Sequence, residues 1–412
     1  MFSFDTKRAT RRSFFFTLTV LVVGAFALLL SSPVAAAEPP KGEPIKIGWI
    51  AELSGTWSFF GATGLTAAQI AEEEINAKGG VLGRPIQVIP MDNRTDPAQA
   101  ASAARMLDTQ HKVLVLSGPT SSDTSLAIYG YAEQNQVPFV VPVAAFPRLT
   151  RPGTQWTFRV EPDAVGWGYA IVKFVEKMKP GASLALIYSD FALQRAIVAG
   201  IKYQAERSGV KIATDIIFPQ NATDATVQAA QVKSRNPDFV MVSGGGAFDV
   251  TITNQLLDLG IKPEQIIHPF GAVKMILGWG PRSVGSYYGT FFDHSLGGLN
   301  DYAKGLISKF TQRKGYVPAY IENFCYATVY LIKEAVEKAG AADRVKFRDA
   351  MRNMNTKEIT TGIPIIFDKN GARKEFMYFL QMKDVKKDIY QSKEAFYIEW
   401  DPEVIPVYQL AP

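Results

Sequence analysis

Cysteine occurs once in the 412-residue chain, at Cys325, so no intrachain disulfide can form. Histidine is almost as scarce. His111, His268 and His294 stand far apart, and no Cys or His pair has the spacing of a zinc site. Cys325 lies in Asn323-Phe324-Cys325-Tyr326-Ala327, an apolar helical context in which a buried, inert thiol is expected. Long runs of one charge are missing too: 44 Lys and Arg are scattered among 39 Asp and Glu. Neither nucleic acid nor an anionic membrane is indicated as a partner. No Gly-x-Ser-x-Gly, P-loop or Gly-x-Gly-x-x-Gly is present, and no nucleophile stands at motif spacing from a base. Neither enzymatic chemistry nor a cofactor or metal is expected.

What is present begins with the first 37 residues. Lys7, Arg8, Arg11 and Arg12 form a basic region, 13–30 is apolar apart from Ser and Thr, and Ala35-Ala36-Ala37 offers a small-residue cleavage site. That layout is a secretory signal peptide cleaved after Ala37. Thr10-Arg11-Arg12-Ser13-Phe14-Phe15 also looks like a twin-arginine export signal. Cleavage leaves about 375 residues, enough for two domains. The four basic residues less Asp5 carry three of the five formal positive charges, so the mature chain sits near +2. It holds no further apolar run long enough to span a bilayer.

Downstream, short apolar runs alternate with stretches of helical periodicity. Strands are expected over 45–51, 86–91, 112–116 and 138–141, with helices over 64–77, 97–110 and 122–135. Glu72, Glu73 and Glu74 fall on the wet side of the first helix. A second set follows, with strands over 183–188, 211–218, 238–242 and 265–270 and helices over 193–208, 224–235 and 248–259. This alternation means βαβ units and parallel sheets, and two sets mean two doubly wound domains. Crossings between them are expected over 157–162 and 287–293, a long helix over 320–339, and a tight turn at Asp368-Lys369-Asn370-Gly371.

In open parallel sheets, ligands sit outside the carboxyl ends of the strands. After the first strand, Trp57, Phe59 and Phe60 lie beside Gly55 and Gly61, an unusual aromatic density for a loop. After the third comes Ser117-Gly118-Pro119-Thr120-Ser121-Ser122-Asp123, where Ser121 or Ser122 would cap a helix and freed N–H groups would suit an anion. After the fourth comes Pro142-Val143-Ala144-Ala145-Phe146-Pro147. The matching loops of the second set hold Asp190 and Phe191, Gly244 to Gly246, and Gly271 to Val273.

The motifs now carry a resemblance. Leu53-Ser54-Gly55, Gly61, and Ile75-Asn76-Ala77-Lys78-Gly79-Gly80-Val81-Leu82-Gly83-Arg84-Pro85, followed by Asp92 and Asp96-Pro97, resemble the opening of the branched-chain amino acid class of periplasmic binding proteins. Ser121-Ser122, Pro142-Val143-Ala144-Ala145 ahead of Leu149-Thr150, and Asp258-Leu259-Gly260-Ile261 extend the similarity over nearly the whole mature chain. The resemblance implies a type I periplasmic binding protein fold: α/β, with two doubly wound parallel-sheet lobes joined by a three-strand hinge. One lobe would comprise 38–162 and 294–365, the other 163–293 and 366–412. It also implies a monomeric periplasmic receptor that traps a small molecule between the lobes and delivers it to the permease of an ABC importer.

Amino acid binders of this family hold the α-carboxylate with the Ser-rich cap, backbone groups and a Ser or Thr in the Pro-Ala-Ala loop. Here the cap is Thr120, Ser121 and Ser122, but the loop position is Ala145, next to Ala144. The α-ammonium is met by an acidic residue of the second lobe. The matching position is Phe270, with Asp190 and Asp249 as possible substitutes. A buried ammonium without a counter-charge would cost several kcal/mol. An anion with an aromatic body, of the benzoate or phenylpropanoid kind, is the expected ligand. Trp57, Phe60, Phe146, Phe191, Phe248, Phe270 and Tyr320 are the candidate walls, and Gly246 gives backbone room. A branched-chain amino acid, amide or urea receptor, or a periplasmic sensor subunit, is the alternative.

Overall fold

A computed structural model describes residues 39–412 except 220, 374, 387–389, 401–404, 406, 411 and 412, so the leader lies outside the described residues. The chain opens with β1 (Ile45–Ala51), α1 (Ser58–Ala77), β2 (Ile86–Asp92), α2 (Pro97–Thr109), β3 (Val115–Ser117), α3 (Ser122–Asn135), β4 (Phe139–Val141) and β5 (Thr157–Arg159). These strands form one parallel sheet in the order β2-β1-β3-β4-β5. The apolar runs of β1, β3 and β4 are continuous because helices cover both faces, whereas the edge strand β2 is only partly buried. Ala100, Ala104 and Leu107 of α2 and Ile128 and Ala132 of α3 close one face, over Ile50, Leu116 and Phe139.

A second sheet follows α4 (Ala164–Met178). Its elements are β6 (Ser183–Ser189), α5 (Ala192–Ser208), β7 (Lys211–Phe218), α6 (Thr226–Ser234), β8 (Phe239–Ser243), α7 (Ala247–Asp258), β9 (Ile266–His268), α8 (Val273–Trp279) and β10 (Tyr287–Thr290). The chain then runs through α9 (Asp301–Lys314), α10 (Tyr320–Ala339), α11 (Arg344–Arg352) and the small hairpin β11 (Asn355–Lys357) with β12 (Pro364–Ile366). It returns as β13 (Glu375–Val385), antiparallel to β10, and β14 (Tyr390–Trp400), antiparallel to β13, which together extend the second sheet. The order is β14-β13-β10-β9-β8-β6-β7.

Three expectations need correction. The first helix begins at Ser58, not at 64, so its first turn carries Phe59 and Phe60. The Asp92 carboxylate anchors the preceding loop, accepting from Leu53 N, Ser54 N and Ser54 Oγ, and so brings the helix start forward. Glu74 does not stay on the wet side: it accepts from Tyr326 and Tyr330 of α10 and pairs with Lys309 of α9. The segment 157–159 is a paired strand of the first sheet rather than a bare connection.

The turn at 368–371 forms as expected. Asp368 Oδ1 accepts from Asn370 N and Ala372 N, and Gly371 takes φ +83 with the Thr157 carbonyl 2.2 Å from where a Cβ would stand.

Backbone contact between α4 and α5 fixes the second half of the fold. A Cβ on Gly168 would lie 2.0 Å from the Ile197 carbonyl oxygen, and one on Gly200 would lie 2.0 Å from that of Val165. Gly168→Ala should therefore force the helices apart and lower stability by about 1–3 kcal/mol. Chemical denaturation would show it, and an unchanged midpoint would rule out this contact as a constraint.

Candidate functional site

The carboxyl end of β1 delivers Glu52 into a fully buried position. Its carboxylate accepts from Asn93 Nδ2 (2.9 Å), Thr120 N (3.0 Å), Thr120 Oγ1 (2.8 Å), Thr124 Oγ1 (2.7 Å) and Ser121 N (3.4 Å). The donors ahead of α3 that the sequence offered to a ligand anion are thus already held by the protein's own carboxylate. Thr120, through N and Oγ1, and Ser121, through N, are the residues of this cap that meet Glu52. Ser121 is the N-cap of α3 by backbone geometry, yet its side chain makes no cap bond. Ser122 differs: its hydroxyl is buried and has no partner.

The first turn of α3 faces the first turn of α5. Asp123 accepts a hydrogen bond from Ala192 N, and Arg195 lies near it; burial still holds its carboxyl above the usual carboxylate range. Phe191, the N-cap of α5, meets the edge of Trp57 with ring centroids 5.8 Å apart. Lys274 of α8 sits 4.3 Å from the centroid of Phe59. The two sheets' loops therefore close on one another. One turn into α5, Gln194 is fully buried with both amide atoms unpartnered. A Cβ on Gly245 would lie 3.4 Å from the Phe191 ring and 3.6 Å from Gln194 Nε2. The Thr56 carbonyl stands 4.0 Å from the corresponding point on Gly246.

A third unpartnered group comes from the end of β5. Glu161 is 1% exposed; its Oε2 accepts the Ala144 N–H at 2.8 Å and its Oε1 has no partner. Burial pushes its carboxyl up to about 8, against the lowering influence of the Ala144 N–H and Arg159. Ala144 holds φ +134, a costly conformation for a residue with a Cβ. Ala145 follows fully buried, its carbonyl accepting from Ala164 N.

Among the aromatics, Phe270 and Tyr320 meet edge to face at 6.3 Å, and Phe291 joins Tyr320 at 5.7 Å. Burial raises the Tyr320 hydroxyl well above its usual value, and the charge of Glu161 adds to the shift. Phe146 is buried in the main core, and Phe60 packs beneath Trp57 at 5.0 Å. Phe248 belongs elsewhere: it packs against Phe218 in the core beneath α6 and α7. Cys325 is a buried thiol pushed up by desolvation. Among the described residues, no cluster of His, Cys, Asp and Glu could hold a metal, and no helix is long and apolar enough to cross a membrane.

Residues 44–388 match the sequence profile of a family described as periplasmic binding protein. The chain belongs to the periplasmic binding protein family. A Leu/Ile/Val-binding protein homolog 7 from Brucella abortus (strain 2308) is 25% identical over 382 residues, covering 87% of this chain and 94% of that relative. The leucine binding protein LivK of Thermotoga maritima is 25% identical with a TM-score of 0.75, covering 88% of this chain and 100% of that one. A solute binding protein of an ABC transporter from Rhodopseudomonas palustris BisB5, in complex with 3,4-dihydroxybenzoic acid, has a TM-score of 0.77 at 20% identity, covering 88% of this chain and 99% of that one. The fold is thus that of type I periplasmic binding proteins, and the family serves ABC transporters as solute receptors rather than as enzymes.

In this periplasmic binding protein the substitute acids are both engaged. Asp249 accepts from Gly244 N and Trp279 Nε1 and lies 3.2 Å from His268 Nδ1. Asp190 pairs with Arg195 at the surface. Glu52, Glu161 and Gln194 were missed in the sequence. Their one visible signal is position: Glu52 closes the first strand, and Glu161 ends the extended run ahead of Pro162.

Proposed function

We propose that the chain is the periplasmic receptor of an ABC importer for a small aromatic carboxylate, exported by its 1–37 leader and closing on its ligand between lobes divided at the three crossings. The observations that support this reading are two aromatic contacts, Trp57 with Phe191 and Phe270 with Tyr320, together with the buried, unpartnered Ser122 Oγ and the Gln194 amide beside Phe191. Aromatic walls suit a ring, and burying about 120 Å² of it contributes on the order of 3 kcal/mol. Ser122 Oγ and the amide of Gln194 can each donate to a carboxylate. The Rhodopseudomonas palustris protein that holds a dihydroxybenzoic acid shares the fold, which supports such a ligand as compatible with the scaffold.

Thermal denaturation against benzoate, hydroxybenzoates, cinnamate, coumarate and leucine tests the reading, since a ligand that binds only the native state raises the midpoint. A shift with aromatic acids and none with leucine is expected, and the reverse overturns it. Ser122→Ala should weaken the best aromatic acid by about 10- to 100-fold, the loss of one hydrogen bond to a charged group. Unchanged affinity would remove Ser122 as an anchor. A branched-chain amino acid is the second reading, favoured by one observation: Glu161 Oε1 is a buried carboxyl oxygen that an ammonium could meet.

A further inference from the structure

Glu161 is a buried acid with no function in holding the fold that would use both of its oxygens. One accepts the Ala144 N–H and the other is unpartnered. Arg159, two residues before it, directs Nη1 to the Glu161 main-chain carbonyl and Nη2 toward Thr150 Oγ1. From α10, Tyr320, Glu322 and Cys325 face the same interior, and a charge on Glu161 pushes both Tyr320 and Cys325 up. Glu52 adds its charge at Cys325, and Arg373 lies behind, directing Nη1 to the Val160 carbonyl at 3.5 Å. The surroundings thus combine several acids with two guanidinium groups: Arg159 reaches the Glu161 main-chain carbonyl and Thr150, and Arg373 also pairs with the buried Glu358 at 3.7 Å. Ala144, at φ +134, donates its N–H to Glu161 from a strained backbone.

We infer that Glu161 reads the charge of the ligand's head group: held as an uncharged carboxylic acid, it donates its O–H to the ligand carboxylate. The inference rests on the aromatic-acid reading and names the residue that determines its anion preference. Oε2 keeps the Ala144 N–H, and the proton sits on Oε1 facing the ligand. An O–H donated to a carboxylate is a charge-assisted bond, stronger than a neutral one. Ionisation of Glu161 near 8 would replace this donor with a second negative charge.

Calorimetric titration with benzoate and 4-hydroxybenzoate, in two buffers of different ionisation enthalpy, tests it. The wild type should lose about tenfold in affinity between about pH 7 and about pH 9, and take up close to one proton per ligand at the higher pH. Glu161→Gln, which has no proton to lose, should bind up to about tenfold more weakly at pH 7 and show a flat profile. Its ligand-free melting midpoint checks that it folds. Tight binding of an aromatic acid by the wild type with a flat profile and no proton uptake overturns the role of Glu161 and leaves the aromatic-acid reading standing. Failure of every aromatic acid, with leucine binding more tightly as pH rises and releasing a proton, overturns both.

Discussion

Glu52→Ala is expected to lower the melting midpoint by about 5 °C, a loss of about 3–5 kcal/mol. Glu52 is fully buried, and its two oxygens collect donors from Asn93, Thr120, Ser121 and Thr124. Truncation removes the acceptor and strands those donors away from water, where each unmet group costs about 1–3 kcal/mol. The damage would spread, because the same carboxylate joins the end of β1 to the segment after β2 and to the loop before α3. Glu52→Gln should be harmful too, since its NH2 would face donors where an acceptor is needed. Scanning calorimetry of the ligand-free protein decides the matter. A loss below about 1 kcal/mol would mean that water enters and replaces the carboxylate.

The second large effect has the opposite sign. Glu161→Gln is expected to raise the melting midpoint of the ligand-free protein, by an amount that grows with pH. The folded-state carboxyl titrates at about 8 against an ordinary value of 4.5, because burial disfavours its charge. Below about pH 4.5 it is protonated whether the chain is folded or not, and no penalty exists. As pH rises from there, only the unfolded chain ionises, so stability drains away until the folded group titrates as well. The cost reaches on the order of 3 kcal/mol by pH 7 and is complete above about 8. Glutamine keeps an acceptor for Ala144 N and leaves one unpaired donor, much as the protonated acid does, but never ionises. The variant should match the wild type near pH 4.5 and melt about 5 °C higher near pH 8. A difference that does not change with pH would exclude a neutral buried acid at this position. This measurement uses no ligand, so it separates the state of Glu161 from its part in recognition.

Together these two acids show how differently one residue type serves in a single site. Glu52 has donors on every side and spends both oxygens on the protein. Glu161 has one donor and a vacancy. Burial is the same for both, and partner geometry makes the difference.

Much of the architecture was legible because parallel strands covered on both faces leave continuous apolar runs that end at glycine and polar loops. β1 is such a strand; β7, a partly exposed edge strand, and the helix at 320–339 also stand where the sequence puts them. α4 was overlooked: ten of its fifteen residues are buried, and its polar stripe of Tyr169, Lys173, Glu176 and Lys177 begins only after the uniformly buried Ala164 to Gly168. The early start of α1 was hidden for another reason. Trp57, Phe59 and Phe60 look like loop aromatics until Asp92, brought alongside by β2, ties down the residues ahead of them.

For the site, the sequence by itself determined the fold class, the absence of a disulfide, the loops at the strand ends and the aromatic side chains within them. Those follow from composition and local periodicity, which need no knowledge of distant neighbours. Tertiary structure alone decided which polar groups remain available to a ligand. The donors on Glu52 lie 41 to 72 positions away in the chain, and the Ala144 N–H lies 17 from Glu161. Folding decides which donors reach a buried carboxylate, so Thr120 donates to Glu52 while Ser122, Glu161 and Gln194 are left with unmet hydrogen-bonding capacity.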